Sequence, residues 1–349
     1  MRNAPGFLLL LLLMTHLAAP AFAWSHKEHI MLTRLAALRL QQRDDVPADL
    51  KAWLAKHSPE AESLEAVRQF WLEAEVGAEP TRDAVPGALA WWAIRPDLAK
   101  GEPNGRDPLP LFGVREAKLH FIDLELLLPD DEPRQYRHDL SAKPAVDAVP
   151  NDAADARYLQ AGKLPFAVAL YARRLAELFP ADHALPAAGY LAHYVQDNTQ
   201  PHHATIDFRS RTYFGKAGRA PDVHAQMEWV HAESPEMRDS RARTWDAMLT
   251  ALAEPPQKMA DDAFVATVEI ASKSYDHLPL IGLAAMHAAD QAGTPEAPEG
   301  PPGTFDTAAF YAFEQDGLSV ELMKARQLAR AVQRTEQVWL DAWRVHQAE

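Results

Sequence analysis

Apolar residues recur at three- and four-residue spacing through most of this 349-residue chain, and no other feature limits its fold as strongly. That spacing lines apolar side chains along one face of an α-helix. It predicts helices over 26–41, 60–76, 116–128, 164–179, 185–199, 223–234, 239–253, 261–274 and 305–346. The alternation expected of a β-strand is absent from the sequence, as is an internal repeat. We therefore expect an all-α fold.

Proline and glycine divide the chain between these segments. Pro165 suits the first turn of a helix and Pro180 the position after its end. The Pro/Gly-rich stretch 293–303 is expected to link a C-terminal helical segment to the rest, and Gly317 is expected to interrupt that segment. The prediction is a single multi-helix domain over 24–349 with long loops.

Residues 1–23 have the build of a secretory signal peptide. A basic start at Arg2 precedes a run of leucines, and Ala21-Phe22-Ala23 supplies small residues at a cleavage site. Cleavage between Ala23 and Trp24 is expected to yield a periplasmic or secreted protein. No later run of 18 apolar residues predicts a transmembrane helix.

Cleavage at that bond would make Trp24 the first residue of the mature chain. Its free amine and carbonyl would form a two-atom chelating end, and His26 and His29 follow within five positions. The N-terminus therefore suggests a metal site that only processing completes.

The formal net charge is −14, and the chain has no cysteine. An acidic protein is not held on nucleic acid or anionic lipid by its overall field, so phosphate chemistry here requires local cations such as metal ions. Without disulfides, an exported chain of this kind depends on its core or on metals for stability.

The strongest local pattern surrounds His193 and Asp197, which are four residues apart and share one helix face. Pro201 is expected to end that helix, which lets His203 turn back toward the same point. A second pair, His224 and Glu228, has the same spacing. Imidazole and carboxylate together suit zinc, although each pattern alone is also typical of a solvated helix face.

His231 continues the face of His224 and Glu228, and we interpret it as a surface histidine. His120 lies in a predicted amphipathic helix beside apolar positions that look buried, where a core histidine with one hydrogen bond is the competing interpretation. Pro96 is expected to stop a helix that runs through Trp91 and Trp92. Asp97 would then lie on a loop just past the helix end, where an ordinary turn is the competing interpretation.

Taken in order, these residues resemble the superfamily of zinc-dependent bacterial phospholipases C and single-strand-specific zinc nucleases. The match runs from Trp24 to Glu228, and its most specific part is the step from His193 to His203 with Asp197 between them. The resemblance implies a mainly α-helical fold that binds three zinc ions. Its implied zinc ligands are Trp24, His29 and Asp197 for one ion, Asp97, His120, His193 and the bridging Asp197 for the second, and His203, His224 and Glu228 for the third.

The resemblance also implies hydrolysis of a phosphodiester by a metal-activated water. Asp97 would orient or deprotonate that water in addition to its ligand role. Phe121 and Asp123, which follow His120, would contact the substrate, as the corresponding positions do around the nuclease base pocket.

The two branches of the superfamily differ in substrate. Spacing from Trp24 to His29 resembles the nucleases, as does the sequence after His120. Glu228 as the final ligand, where the nucleases typically have aspartate, and the lack of cysteine resemble the phospholipases. We expect a phospholipase C-like enzyme, with a single-strand-specific nuclease as the alternative.

A non-catalytic zinc-binding exported protein is the second alternative, since metals can serve stability alone. The expected partner is phospholipid or single-stranded nucleic acid as substrate, with transient contact to a membrane surface in the lipid case. No stable protein partner is implied.

Overall fold

The computed structural model describes residues 24–100, 111–128, 143–214, 221–293 and 305–348. Most of these residues are helical and very few lie in strands, which confirms the all-α prediction. The α-helices are α1 (His26–Gln42), α2 (Ala48–His57), α3 (Leu64–Glu73), α4 (Ala88–Lys100), α5 (Tyr158–Ala161), α6 (Leu164–Leu178), α7 (Leu185–Asp197), α8 (Arg211–Phe214), α9 (Val223–Ala225), α10 (His231–Glu233), α11 (Arg238–Leu252), α12 (Ala263–Tyr275), α13 (Leu278–Gln291), α14 (Thr307–Ala312) and α15 (Val320–Ala348).

Short turns of helix connect the longer elements. The 3₁₀ turns are Arg82–Ala84, Leu111–Gly113, Glu116–Leu119, Leu124–Leu127, Val146–Ala148, Asp182–Ala184, Pro201–Ala204 and Pro235–Met237. A π-helical turn, Gln226–Val230, joins α9 to α10. The predicted signal peptide, and the linker 293–303 beyond Gly293, lie outside the described residues.

The C-terminal helices surround one small hairpin. Strands β1 (Glu314–Gln315) and β2 (Leu318–Ser319) pair antiparallel between α14 and α15, and they are the only strands of the described ranges. Gly317 lies in their turn at a φ of 79°, in the left-handed region that glycine adopts without strain. The predicted interruption at Gly317 is therefore confirmed.

Helix α15 is the longest element, and it packs against α1, α6, α7 and α11. Its buried face includes Leu328, Val332 and Trp339. The indole of Trp339 donates a hydrogen bond to the carbonyl of Ala188, at 3.1 Å. Since α1 and α7 carry predicted metal ligands, the packing of α15 on both helices helps to hold those ligands in place.

A tight contact between α4 and α7 positions the site. Gly189 of α7 faces α4 so tightly that an added Cβ would lie 2.4 Å from Trp92 Cβ and 2.6 Å from the Trp92 carbonyl carbon. Only a glycine allows the two backbones this separation. As a result, Asp97 on α4 comes beside His193 and Asp197 on α7.

The prediction that Pro96 ends its helix is wrong. α4 continues through Pro96 to Lys100, so Asp97 is helical and does not lie on a loop. Proline removes the donor that would reach the Trp92 carbonyl. Two other contacts hold this turn in place of the missing hydrogen bond. They are the packing of α4 on α7 and an ion pair between Lys100 Nζ and Asp97 Oδ1, which lie 2.6 Å apart.

The predicted helix over 116–128 is also wrong, since two 3₁₀ turns flank an extended stretch there. The backbone of that stretch bonds to distant segments in place of its own turn. Ile122 donates to the carbonyl of His203, at 2.9 Å, and Asp123 donates to that of Ala161, at 2.7 Å. The apolar pattern correctly predicted burial of Ile122 but not its conformation.

Five of the described α-helices lie outside the predicted segments, namely α2, α4, α5, α8 and α13, although a helix through Trp91 and Trp92 of α4 is expected from the sequence. In the described part of the chain, no helix combines the length and hydropathy that crossing a membrane requires.

Candidate metal centre

Five buried side chains from four separate segments meet at the contact of α1, α4 and α7. They are His29 of α1, Asp97 of α4, His120 after the turn Glu116–Leu119, and His193 and Asp197 of α7. Each of them is at most 1% exposed. We name this group the central cluster.

Asp197 lies in the middle of the central cluster and uses both carboxylate oxygens. Its Oδ1 is 3.2 Å from His29 Nε2. Its Oδ2 is 2.8 Å from His120 Nδ1 and 3.2 Å from His193 Nε2. One carboxylate therefore faces two sets of imidazole nitrogens, the arrangement that a bridging ligand needs.

Two histidines of the central cluster are fixed by hydrogen bonds from their outer nitrogens. His29 Nδ1 lies 2.7 Å from Gln196 Oε1, and His193 Nδ1 lies 2.7 Å from the carbonyl of Ala93. Because both partners are acceptors, each Nδ1 carries the proton and each Nε2 keeps its lone pair. Histidine ligands in metalloproteins are oriented in this way.

Asp97 lies on the other side of these histidines. Its Oδ1 is 3.7 Å from His120 Nδ1 and from His193 Nε2, and its Oδ2 is 3.8 Å from His29 Nε2. Lys100 Nζ contacts Oδ1 at 2.6 Å. The carboxylate therefore lies between the imidazoles and an ammonium group that is also buried.

A second group, which we name the outer cluster, comprises His203, His224 and Glu228. Glu228 Oε1 is 2.6 Å from His224 Nε2 and 4.0 Å from His203 Nε2. His203 Nδ1 donates to the carbonyl of His120, at 2.6 Å, which fixes the ring and leaves Nε2 toward Glu228. That bond also attaches the outer cluster to the central one.

Gln200 supports the outer cluster from the turn Pro201–Ala204. Its Nε2 donates to Glu228 Oε1, at 2.6 Å, and its Oε1 accepts from the backbone of His202, at 2.8 Å. Glu228 itself lies in the π-helical turn, a feature that occurs frequently at functional sites.

These atoms form three groups that could each hold a metal ion. Within each group the ligand atoms lie within 4.8 Å of one another, and the groups are His29, Asp97 and His193, then His120, His193 and Asp197, then His203, His224 and Glu228. Ligands around zinc lie roughly 3.3–3.6 Å apart, given bonds of about 2.0–2.2 Å. Asp97 Oδ2 and Asp197 Oδ1 also accept no hydrogen bond from the described residues, although both are buried. The residues therefore suit a metal.

The charges of the central cluster favour ionised carboxylates and neutral rings at His120 and His193. Burial alone would raise the pKa of Asp97, but Lys100 and the neighbouring histidines hold it well below its usual range. Burial lowers the pKa of His120 and that of His193, whereas the carboxylates of Asp197 and Asp97 outweigh burial and raise the pKa of His29. In the outer cluster, burial lowers the pKa of His203 to about 4. Neutral imidazole and carboxylate are the protonation states that bind metal.

The side chain of Trp24 is fully buried beside α7. Its indole Nε1 donates to the carbonyl of Gln196, at 2.9 Å, and to Thr199 Oγ1, at 3.1 Å. Gln196 is the residue before Asp197. The chain therefore begins its described course close to the predicted bridging ligand, while the chelation by the Trp24 amine stays a prediction.

The two predicted substrate residues flank His120 on the extended stretch. Phe121 is half-buried, with Gly162 so close that an added Cβ would lie 2.3 Å from the Phe121 carbonyl oxygen. Asp123 is 8% exposed, and burial raises its pKa well above its usual range, with help from the Glu125 charge. A role of Phe121 and Asp123 in substrate binding stays a prediction.

The interpretation of His231 as a surface residue is wrong, because its ring is fully buried. Lys324 Nζ lies 3.0 Å from Nδ1, and Ser240 Oγ lies 3.2 Å from Nε2. Both ring nitrogens are therefore engaged away from the outer cluster. His202 is also buried, with its ring centroid 5.4 Å from that of His224.

Sequence reasoning missed Lys100, Gln196 and Gln200, and it noted His26 only as a histidine near Trp24. His26 Nε2 lies 3.8 Å from Asp97 Oδ2. Lys100 could have been suspected, since an i, i+3 pair with Asp97 shares a helix face. The predicted stop at Pro96 hid that spacing.

Comparison with known proteins gives no assignment, because no family model and no curated protein matches this chain.

Proposed function

We propose that this protein is an exported zinc-dependent phosphodiesterase of the phospholipase C type. One observation carries the proposal: two histidine–carboxylate groups share His193, and Asp197 faces ring nitrogens through both oxygens. A third group lies beside them. Paired metal sites with a bridging carboxylate suit phosphoryl chemistry, in which attacking and leaving oxygens are both stabilised.

Zinc is the ion we propose, with three ions per chain. The donor set of imidazole and carboxylate without thiolate suits zinc, although it does not distinguish zinc from every divalent metal. When bound, zinc would supply positive charge for phosphate oxygens and lower the pKa of water. His29, His120, His193 and Asp197 would hold the central ions, and His203, His224 and Glu228 the third.

Asp97 is the residue we propose to act on the attacking water. Its carboxylate is held ionised by Lys100 and the histidines, so it can accept or orient a proton. The water oxygen bonds to phosphorus as the ester P–O bond breaks, and a proton passes to the departing alkoxide. Lys100 opposes proton uptake by Asp97, which favours an orienting role over storage of the proton.

The choice of phospholipid follows the sequence details around Glu228 and the cysteine-free composition. Single-stranded nucleic acid is the competing substrate, favoured by the sequence after His120. The processed, zinc-loaded protein assayed side by side on phosphatidylcholine vesicles and single-stranded DNA separates the two. Turnover of DNA alone would overturn the phospholipase assignment, and turnover of neither would favour a non-catalytic zinc protein.

Asp97→Asn tests the mechanism. We expect the variant to remain folded and to lose most activity, because the neutral amide orients the attacking water less strongly than the ionised carboxylate. Metal content measured by atomic emission separates loss of ligand from loss of catalysis. Full activity with unchanged zinc content would exclude the proposed role of Asp97.

The predicted terminal chelate has its own test. A version carrying one extra residue before Trp24 should lose one zinc ion per chain, because its amine no longer lies at Trp24. Unchanged zinc stoichiometry would contradict the chelate. That result would not bear on the proposed sites of the other two ions.

A further inference from the structure

A cavity of about 430 Å³ opens between α15 and the segment 254–261, and it shares no residue with either metal-ligating cluster. Three arginines of α15 line it, namely Arg326, Arg330 and Arg334. They are spaced four residues apart, so they form one row along the helix. Lys258 lines the opposite wall.

Arg334 is the least exposed of the three, at 8%. It makes no hydrogen bond and no close ion pair with any described residue. Buried guanidinium groups are normally paired, because an unpaired buried charge is costly. Burial lowers the pKa of Arg334, and the charges of Asp341 and Glu269 offset only part of this effect.

Arg330 is half-buried and makes one hydrogen bond, from Nη1 to Gln327 Oε1 at 2.7 Å. The remaining donors of its guanidinium are left for a ligand. Arg330 and Arg334 lie one helical turn apart and both line the cavity, and a guanidinium group can donate to phosphate oxygens in pairs.

Acidic residues also line the cavity, but the nearest of them on α15 is engaged. Asp341 accepts from Gln337 Nε2, at 2.8 Å to each oxygen, and from Arg344 Nη1, at 3.0 Å. Glu254 and Asp261 lie on the opposite segment. The lining therefore carries four basic side chains, the three arginines and Lys258, against three carboxylates, which leaves an excess of one positive charge in a protein that is otherwise acidic.

Apolar side chains also line the cavity, and we name them the apolar wall: Pro255, Pro256, Met259 and Ile270. A volume of this size exceeds that of a bare phosphate ion and reaches the lower range of small-molecule sites. We propose that the cavity binds a small phosphomonoester, with its phosphate on Arg330 and Arg334 and its organic part against the apolar wall. The proposal is independent of the proposed phosphodiesterase activity.

A single labelled cysteine gives a local readout. The chain has no cysteine, so Gln257→Cys at the exposed rim can carry one environment-sensitive fluorophore. The labelled full chain is titrated with inorganic phosphate, glycerol phosphate, AMP and hexanoate, with and without chelator. We expect the esters to bind more tightly than inorganic phosphate, and chelation to leave that binding intact, because metals do not form this site.

Arg334→Met is expected to weaken ester binding roughly tenfold or more, since it removes charge-assisted hydrogen bonds. Arg334→Lys should weaken it less. Arg173→Met, which changes an exposed arginine of α6, is the matched control and should have no effect. The ligand-free Arg334→Met protein should melt no lower than the unsubstituted one, because a buried unpaired charge is removed.

Equal affinity in Arg334→Met and the unsubstituted protein would overturn the proposal, as would binding of hexanoate alone or no binding by any phosphate. If Arg334→Met does not fold, Arg330→Met replaces it. That variant is expected to fold because the Arg330 side chain is only half-buried, and it should show the same loss of ester binding.

Discussion

The side chain of Gln196 lies behind His29 and is bonded at both ends. Its Oε1 accepts from His29 Nδ1, and its Nε2 donates to Thr33 Oγ1, at 3.0 Å. The amide therefore cannot rotate without losing a bond on each side. Such outer contacts fix the tautomer and direction of a histidine ligand.

Gln196→Leu should lower metal affinity about 10- to 100-fold, the usual effect of removing the partner of a ligating histidine. The side chain keeps its approximate size, so the fold should persist. Competition against a chromophoric chelator measures the affinity. Gln41→Leu, which changes a glutamine bonded to Ser58 away from the site, is the control and should bind metal normally. Equal affinity in both variants would contradict the role of Gln196.

His277 is a single residue that makes the stability of the fold depend on pH. Burial lowers its pKa to about 4, and nearby Arg330 adds to this effect. In the unfolded chain the pKa of His277 is near the usual 6.5, so as pH falls the unfolded state binds this proton before the folded state does. The contribution of His277 to stability is therefore complete above pH 6.5 and is lost as pH falls toward 4.

His277→Gln should accordingly show a shallower fall in the free energy of unfolding between pH 6.5 and pH 4.5. Denaturant titrations at several pH values, in chelator, measure this slope. His183→Gln changes an exposed histidine and should keep the slope of the unsubstituted chain. Parallel slopes for all three proteins would exclude burial of a neutral His277.

At the scale of elements, the contact of α4 with α7 sets the position of Asp97 relative to Asp197. Gly189 holds that contact, because any side chain there would meet the backbone of Trp92. Its own backbone is helical, so alanine would favour the helix by about 1 kcal/mol. Any loss of stability on substitution must therefore come from the packing.

Gly189→Ala is expected to destabilise the protein by roughly 1–3 kcal/mol, as overpacked cores do, and to weaken metal binding. Gly282→Ala is the matched control. A Cβ at Gly282 would lie 2.2 Å from Tyr213 Cδ2, at the contact of α13 with α8. Both variants should lose stability in denaturant, but only Gly189→Ala should lose metal affinity in a chelator competition. Equal metal affinity in both variants would show that the metal site does not depend on the contact of α4 with α7.

At the scale of the whole molecule, α15 is joined to the start of α1 by a buried ion pair. Lys324 Nζ lies 2.7 Å from Glu28 Oε1, and neither side chain is exposed to solvent. Glu28 Oε2 accepts from the backbone of Ser25, at 2.8 Å, which completes the N-terminal cap of α1. The last helix therefore fixes the segment that follows Trp24.

Lys324→Met should destabilise the protein by about 3–5 kcal/mol, because it leaves the buried Glu28 carboxylate without a partner of opposite charge. The double variant Glu28→Gln with Lys324→Met should recover part of that loss. Chemical denaturation of four proteins measures both effects: the unsubstituted protein, Glu28→Gln, Lys324→Met and the double variant. A double variant that is as unstable as the sum of its single substitutions would argue against the pair.

Much of the fold and several site residues could be predicted from the sequence because they depend on local spacing. Apolar periodicity gives the helix of His29 and that of His193, and i, i+4 spacing brings His193 to Asp197 and His224 to Glu228. Position along the chain could not place His26 or Lys100 beside Asp97, because their proximity depends on helices packing. The helix predicted over 116–128 was wrong for the same reason, since the backbone of Ile122 bonds to a distant carbonyl instead of one in its own turn.

The wide separation of the metal-ligating residues along the chain has a consequence for the order of assembly. The central cluster extends from His29 on the first helix to Asp197 at the end of α7, so no short peptide contains it, whereas the outer cluster lies within residues 203–228. Closing such long loops is entropically unfavourable until the helices pack. Metal uptake should therefore follow folding kinetically, and its rate should report when α1, α4 and α7 have come together.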